Sequence, residues 1–249
     1  MNSFWHAVSF LTRFPVPSFG SKEGDWERSP RWYAVVGLLL GAALWGLSFP
    51  LEYGLGPMAG AATLLAVWIY MTGALHLDGW MDLADGLGSN RSRERMLEIM
   101  KDSRVGAMGV VAAVVLLLLK FTALVMVLSL TGPLQSACLL IVPAAGRFLL
   151  AVVIRTVPYI SSNGLGQGLR EGVTASFLTV QGIGLGGLAY VVSGLGAVPM
   201  AAAAAAAAWV LTRKVRSALG GYTGDGYGAL VEVTETAALL GLVWMLKFI

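Results

Sequence analysis

The residues best suited to chemistry are crowded into one stretch, His76-Leu77-Asp78-Gly79-Trp80-Met81-Asp82-Leu83-Ala84-Asp85-Gly86. On a helix, Asp78, Asp82 and Asp85 stand at i, i+4 and i+7 and share a face about 60° wide. Carboxylates stacked in this way repel one another, and no Lys or Arg lies within four residues of any of them. Two readings follow: a solvated acidic helix end, or a site that holds a divalent cation. Solvated ends usually interleave opposite charges, which favours the cation. An all-oxygen donor set without His or Cys suits Mg2+, with Mn2+ next; Mg2+ takes one or two carboxylates and completes its shell with water and phosphate oxygens. His76 points away from the aspartates on such a helix. It reads either as a satisfied interfacial histidine or as a supporting residue that hydrogen-bonds a carboxylate or a substrate oxygen.

Three further groups bear on the same chemistry. Ser92 is an N-cap for a helix over Arg93–Asp102, where Met96, Ile99 and Met100 form a narrow apolar stripe beside alternating charges, the pattern of a helix lying on a membrane surface. Asp102-Ser103-Arg104 follows, a second acid beside an Arg able to bind phosphate. Gly220-Gly221-Tyr222-Thr223-Gly224-Asp225-Gly226-Tyr227-Gly228 has five glycines in nine residues; it is either a tight turn or a loop whose N–H groups face a phosphate, and Asp225 is a fourth candidate ligand. Glu232 and Glu235 lie one turn apart in an apolar segment, where carboxylates are functional or paired. Lys120 and Arg147 are available partners, and Glu232 is the better ligand candidate because it lies nearer the loop. Gly182-Ile183-Gly184-Leu185-Gly186-Gly187 matches a dinucleotide fingerprint only by letters; without a preceding strand it reads as close helix packing.

The elements that must carry these residues are set by composition. The chain has 249 residues, 57% apolar and 12% charged, against about 25% charged in soluble domains. That excludes a soluble globular protein, a disordered chain and a nucleic-acid-binding module. One cysteine, Cys138, and two histidines exclude an internal disulfide and a Cys- or His-rich metal cluster. Crossing a bilayer takes about 20 mostly apolar residues. Seven segments qualify: 32–51, 57–77, 105–130, 134–157, 175–195, 197–211 and 228–249. The fifth and sixth could also form one re-entrant hairpin. The sixth holds the run Ala201–Ala208, smooth enough for close packing. Met1–Pro17 lacks the pattern of a cleavable signal. With seven crossings, one side receives Arg13, Lys22, Arg28 and Arg31, then Arg91 through Arg104, then Arg155 and Arg170, then Arg213, Lys214 and Arg216; the other receives only Lys247. The positive-inside rule makes the first side cytoplasmic, with the N-terminus there. The expectation is an all-α polytopic integral membrane helical bundle of about seven transmembrane helices, forming a single domain over 1–249.

The chain resembles the cobalamin synthases, the adenosylcobinamide-GDP ribazoletransferases, over nearly its whole length. The blocks that carry the resemblance are Phe10-Leu11-Thr12-Arg13-Phe14-Pro15-Val16-Pro17, His76-Leu77-Asp78-Gly79 through Asp82 and Asp85-Gly86, Arg93 through Gly106, and Gly220-Gly221 with Thr223-Gly224-Asp225, Gly228, Glu232 and Glu235. One departure is visible: the family often has Tyr-Ala-Arg before Gly-Leu-Gly, whereas here Pro158-Tyr159-Ile160-Ser161-Ser162-Asn163 precedes Gly164-Leu165-Gly166, which leaves Arg155 or Arg170 as the substitute. The resemblance implies a Mg2+-dependent enzyme of the bacterial cytoplasmic (inner) membrane, with its active site facing the cytoplasm. It would join adenosylcobinamide-GDP to α-ribazole or α-ribazole 5′-phosphate and release GMP. Its partners would be these substrates, the lipid bilayer, and other enzymes of nucleotide-loop assembly or a second copy of itself. Asp78, Asp82, Asp85, Asp225 and Glu232 are the expected metal ligands, and Asp82, Asp85 and His76 the expected catalytic residues. Arg95, Arg104 and the Gly224 backbone would hold phosphate. A CDP-alcohol phosphotransferase is the nearest rival, but Asp78-Gly79 leads into Trp80-Met81-Asp82 rather than that family's order. A transporter would place its site near the midplane.

Overall fold

The computed structural model describes residues 2–130, 133–162 and 164–245, with the side chains of 133–138 left out; Asn163, the Cys138 side chain, Lys247 and the end of the last expected span lie outside the described residues. The regular structure of the described residues is helical: α1 (Asn2–Leu11), α2 (Tyr33–Met71), α3 (Leu75–Gly88), α4 (Arg93–Ile99), α5 (Ala107–Leu128), α6 (Pro133–Thr156), α7 (Ala175–Ser193), α8 (Ala197–Leu219) and α9 (Gly224–Met245). Among the described residues there is no β-strand, only an isolated parallel bridge between Tyr159 and Tyr222.

Five continuous stretches are long and apolar enough to cross a membrane: Ser29–Met71, Ala107–Leu128, Leu139–Thr156, Ala175–Leu219 and Gly224–Met245. Two of them double back. Between Pro50 and Pro57, Gly56 takes φ +73°, where a helix cannot continue. A Cβ on Gly60 would stand 3.1 Å from the Leu51 carbonyl oxygen; nine residues along a straight helix would separate them by about 13.5 Å. The arms of α2 therefore lie side by side, and Leu40 and Leu44 share a core with Leu64 and Trp68. The second reversal is at Gly194, φ +57°, after which Met200 and Ala204 of α8 face the same small cavity as Leu185 and Ala189 of α7.

Helix α9 is the centre of the bundle, touching α3, α5, α6 and α8 and buried around most of its circumference. Close approach is bought with glycine at Gly241, where a Cβ would meet the Pro199 carbonyl oxygen at 2.5 Å. Elsewhere the outer faces are apolar and exposed, as at Val111, Val115 and Leu118 of α5. An α-helical bundle whose outside is this oily is a membrane protein.

Two expectations about packing change. The Met96–Met100 stripe was expected to face a membrane surface. Instead Met100 is buried and Met96 and Leu97 join the protein core, because Gly86 of α3 leaves a notch that the Met100 side chain fills. The Gly182–Gly187 run was expected to pack closely, yet Gly184, Gly186 and Gly187 face open space and only Gly182 meets a neighbour, Phe148. In the alanine run, Ala204 and Ala208 are buried while Ala201, Ala202, Ala205 and Ala206 are exposed, so only one stripe packs.

Candidate active site

The turn before α3 aims the aspartates. Gly73 and Ala74 both take positive φ, +61° and +57°, which breaks α2 and redirects the chain. Arg13 locks the break by donating its backbone N–H to the Met71 carbonyl at 2.7 Å, with its guanidinium against the Cα of Gly73, where a Cβ would collide. Helix α3 then runs as the spacing predicts, with Asp78, Asp82 and Asp85 on successive turns.

The glycine-rich loop approaches from the other side. Gly220, at φ +84°, ends α8 in the left-handed conformation usual for a helix stop. Tyr222 then pairs with the segment after α6: its N–H donates to the Pro158 carbonyl and its own carbonyl accepts from the Ile160 N–H, each at 2.9 Å. Thr223 caps α9, its Oγ1 accepting from the Gly226 N–H at 3.1 Å and donating to Asp225. Tyr159, Tyr227 and Tyr222 form a stack with ring centroids 5.6 and 5.4 Å apart.

Glycines let the two parts meet. A Cβ on Gly79 would stand 2.6 Å from the Asp225 carbonyl oxygen, and one on Gly228 would stand 3.1 Å from the His76 Cα. Asp78 of α3 and Asp225 of α9 consequently open onto one cavity of about 290 Å³, together with Gly224 and His76. Aromatic and aliphatic side chains, among them Tyr33, Tyr159, Tyr227, Leu150 and Ile154, form the rest of its wall. A second, wider recess of about 520 Å³ shares Tyr159 and Tyr227 and carries Ser161, Gln167, Arg170 and Glu171.

The electrostatics are those of crowded acids. Burial, followed by the charges of Asp78, Asp225 and Asp85, pushes the Asp82 carboxyl up to about 7. Neither Asp78 nor Asp82 has a hydrogen-bond or ion-pair partner among the described residues.

The other expected site residues go elsewhere. Asp85 accepts from the amides of Gly106 and Gly109 at the start of α5, each at 2.7 Å, so both of its oxygens serve a helix N-terminus. Glu232 pairs with Lys120 at 2.9 Å inside the bundle, and Lys120 also binds Glu235 at 2.7 Å, which Arg147 holds from its far side. Of the two readings for Glu232, the ion pair is the one formed, since Lys120 projects from α5 straight at it. Arg95 is exposed and bound to Glu98 at 2.7 Å. Arg104 is exposed and clamped on Asp102 at 2.7 Å, which lowers the Asp102 carboxyl to about 2. Arg93 instead reaches the α8 end, donating to the Leu219 carbonyl at 2.7 Å. Among the described residues, no three His, Cys, Asp or Glu side chains form a closed metal cage. Sequence reasoning assigned no role to the Tyr159–Tyr227–Tyr222 stack. Three tyrosines flanking glycine-rich turns were its only signal.

Comparison with known proteins identifies the family. A family model described as cobalamin-5-phosphate synthase matches residues 3–243. The chain belongs to that family. It is similar to the adenosylcobinamide-GDP ribazoletransferase of Brevibacillus brevis, 43% identical over 98% of this chain and 98% of that one. It is also similar to the proteins of the same name from Desulfitobacterium hafniense, 41% identical over 97% and 96% of the two chains, and Stutzerimonas stutzeri, 42% identical over 95% of each. No solved structure matches. In this chain, Asp78 of α3 and the Gly224-Asp225 turn are the parts that meet at the cavity.

Proposed function

We infer that this chain is an adenosylcobinamide-GDP ribazoletransferase acting at the cytoplasmic face of a bacterial inner membrane. The observation that carries this reading is the meeting of Asp78 and Asp225, from elements far apart in the chain, at the mouth of one cavity, with Asp82 one turn further along α3. Counting the two arms of α2 separately, then α5, α6, α7, α8 and α9, yields seven crossings. Seven crossings put the basic segments Arg91–Arg104, Arg155–Arg170 and Arg213–Arg216 on one side with the site, which the positive-inside rule assigns to the cytoplasm.

In the proposed reaction a secondary hydroxyl of the α-ribazole ribose, which stays free when the 5′ position carries a phosphate, attacks the phosphorus that carries the cobinamide ester. A P–O bond forms, the P–O bond to GMP breaks, and GMP leaves with the electron pair. With α-ribazole 5′-phosphate as acceptor, the product is adenosylcobalamin 5′-phosphate. Asp82 is a better acceptor for the hydroxyl proton than Asp85, which has both oxygens bound to amides. Asp78, Asp82 and Asp225 suit a divalent cation: they repel one another, and no basic side chain offsets Asp78 or Asp82 among the described residues. Mg2+ needs only one or two carboxylates from the protein, so an open set fits it, and when bound it would neutralise charge on the diphosphate. Gly224 leaves space for a phosphate to approach the start of α9, with nothing within 4 Å of where its Cβ would be.

Purified protein in lipid nanodiscs, given Mg2+ and both substrates, should release one GMP for each cobalamin formed. GMP release that continues when the cobinamide or the ribazole substrate is left out would refute the reading.

A further inference from the structure

Resting on that transferase reading, we propose that the 290 Å³ cavity seats the acceptor nucleoside, a flat and mostly apolar heterocycle on one ribose, and that His76 hydrogen-bonds the heterocycle from the cavity's buried wall. The volume lies at the small end of ligand sites. It suits a heterocycle and a sugar, and excludes a corrinoid joined to a nucleotide. The lining divides in the same way: Tyr33, Leu150 and Ile154 offer flat and aliphatic surface, whereas Asp78, Gly224 and Asp225 offer the polar edge where a sugar hydroxyl must lie to reach the phosphorus.

His76 supplies the specific contact. It is 3% exposed, lines this cavity, and has no partner at either ring nitrogen among the described residues. Of its charged neighbours, Lys120 is held by two glutamates, and Arg147 binds Glu235 and the Pro143 carbonyl through Nη1 while its Nε and Nη2 have no partner among the described residues. A buried polar group left in this state is unfavourable, and a ring nitrogen of the ligand offsets that by accepting the imidazole N–H. The wider recess beyond Tyr159 and Tyr227, with Arg170 and Gln167, is left for the bulk of the phosphate-bearing donor.

The test is a crossed set of KM values for α-ribazole and adenosylcobinamide-GDP, measured separately on the full chain in nanodiscs. Leu165, exposed at the cavity mouth, and Arg170, exposed at the wider recess, can be changed without touching the core. Leu165→Trp should raise the KM for ribazole at least fivefold and leave that for the donor within twofold; Arg170→Ala should do the reverse. With His76→Leu, the wild-type preference for ribazole over its indolyl analogue, which lacks the free ring nitrogen, should fall from roughly tenfold to none, the value of one buried hydrogen bond. Both surface variants moving the same KM, or neither moving one, overturns the assignment of the cavity. An unchanged preference in folded His76→Leu overturns the role of His76. A wild-type protein that makes no cobalamin from the two substrates sinks the transferase reading instead.

Discussion

The carboxylate of Asp85 is fixed on the amide of Gly109: Oδ1 accepts from it at 2.7 Å while Oδ2 accepts from Gly106 at 2.7 Å. Two amides at a helix start receive an anion from a neighbouring helix, so α3 and α5 are joined at the end nearest the site. The two glycines are what permit it, since a Cβ at either position would overlap the carboxylate at 2.4–2.5 Å.

Asp85→Ala should therefore act on stability first. Losing charge-assisted hydrogen bonds costs about 1.5–3 kcal/mol, to be read as a lower unfolding midpoint in detergent. Titration of Mg2+ against the folded variant should give an unchanged affinity. A weakened affinity with an unchanged midpoint would return Asp85 to the metal site.

The state of Asp82 makes a prediction about pH. Its carboxyl is raised from the ordinary value of 3.8 to about 7 in the folded chain, so the folded state binds the proton more tightly than the unfolded one. The stability this contributes is present in full below about pH 4 and is lost as pH rises through about 7. In metal-free protein, Asp82→Asn should raise the melting temperature more at pH 8 than at pH 5, while abolishing turnover. Added Mg2+ should stabilise the wild type more at pH 8 than at pH 5, and should stabilise Asp82→Asn much less. Equal gains at the two pH values would remove the crowding of carboxylates from the explanation.

Gly79→Ala tests the contact that brings the two acids together. Its Cβ would stand 2.6 Å from the Asp225 carbonyl oxygen and 2.9 Å from the Asp225 Cα, backbone atoms that cannot rotate away. Displacing α3 from α9 by about 1 Å should cost on the order of 100-fold in kcat with the protein still inserted. GMP release at the wild-type rate would show that the two elements need not touch.

Lys120 sits 2% exposed between Glu232 and Glu235, with its Nζ 4.1 Å from the centre of the Trp68 ring. Removing one member of a buried ion cluster leaves its partners unpaired, at about 3–5 kcal/mol. Lys120→Met should accordingly be strongly destabilised, and Lys120→Met combined with Glu232→Gln should recover part of the loss. A double variant no better than the single one would mean that Glu232 does not depend on Lys120.

Much of this was legible from local pattern alone. The i, i+4, i+7 spacing placed Asp78, Asp82 and Asp85 on one helix, and Ser92 does cap the helix that begins at Arg93, its side chain accepting from the Arg95 N–H. Long apolar runs announced the bundle, because backbone groups in lipid must be satisfied within a helix. The breaks between the first and second and between the fifth and sixth apolar runs fall beside the reversals at Gly56 and Gly194.

What only the tertiary structure decided is which partner each charged group meets. Residues on one helical face look equivalent in sequence, yet Asp85 meets the amide ends of α5 while Asp78 meets Asp225 of α9, a choice made by glycines at 79, 106 and 109 that let particular backbones come close. Glu232 likewise reads as a ligand or an ion pair until the crossing of α5 over α9 puts Lys120 beside it. Periodicity is a property of one segment and survives in the string of letters. Contact between segments depends on where helices cross, and that is settled only when the whole bundle packs.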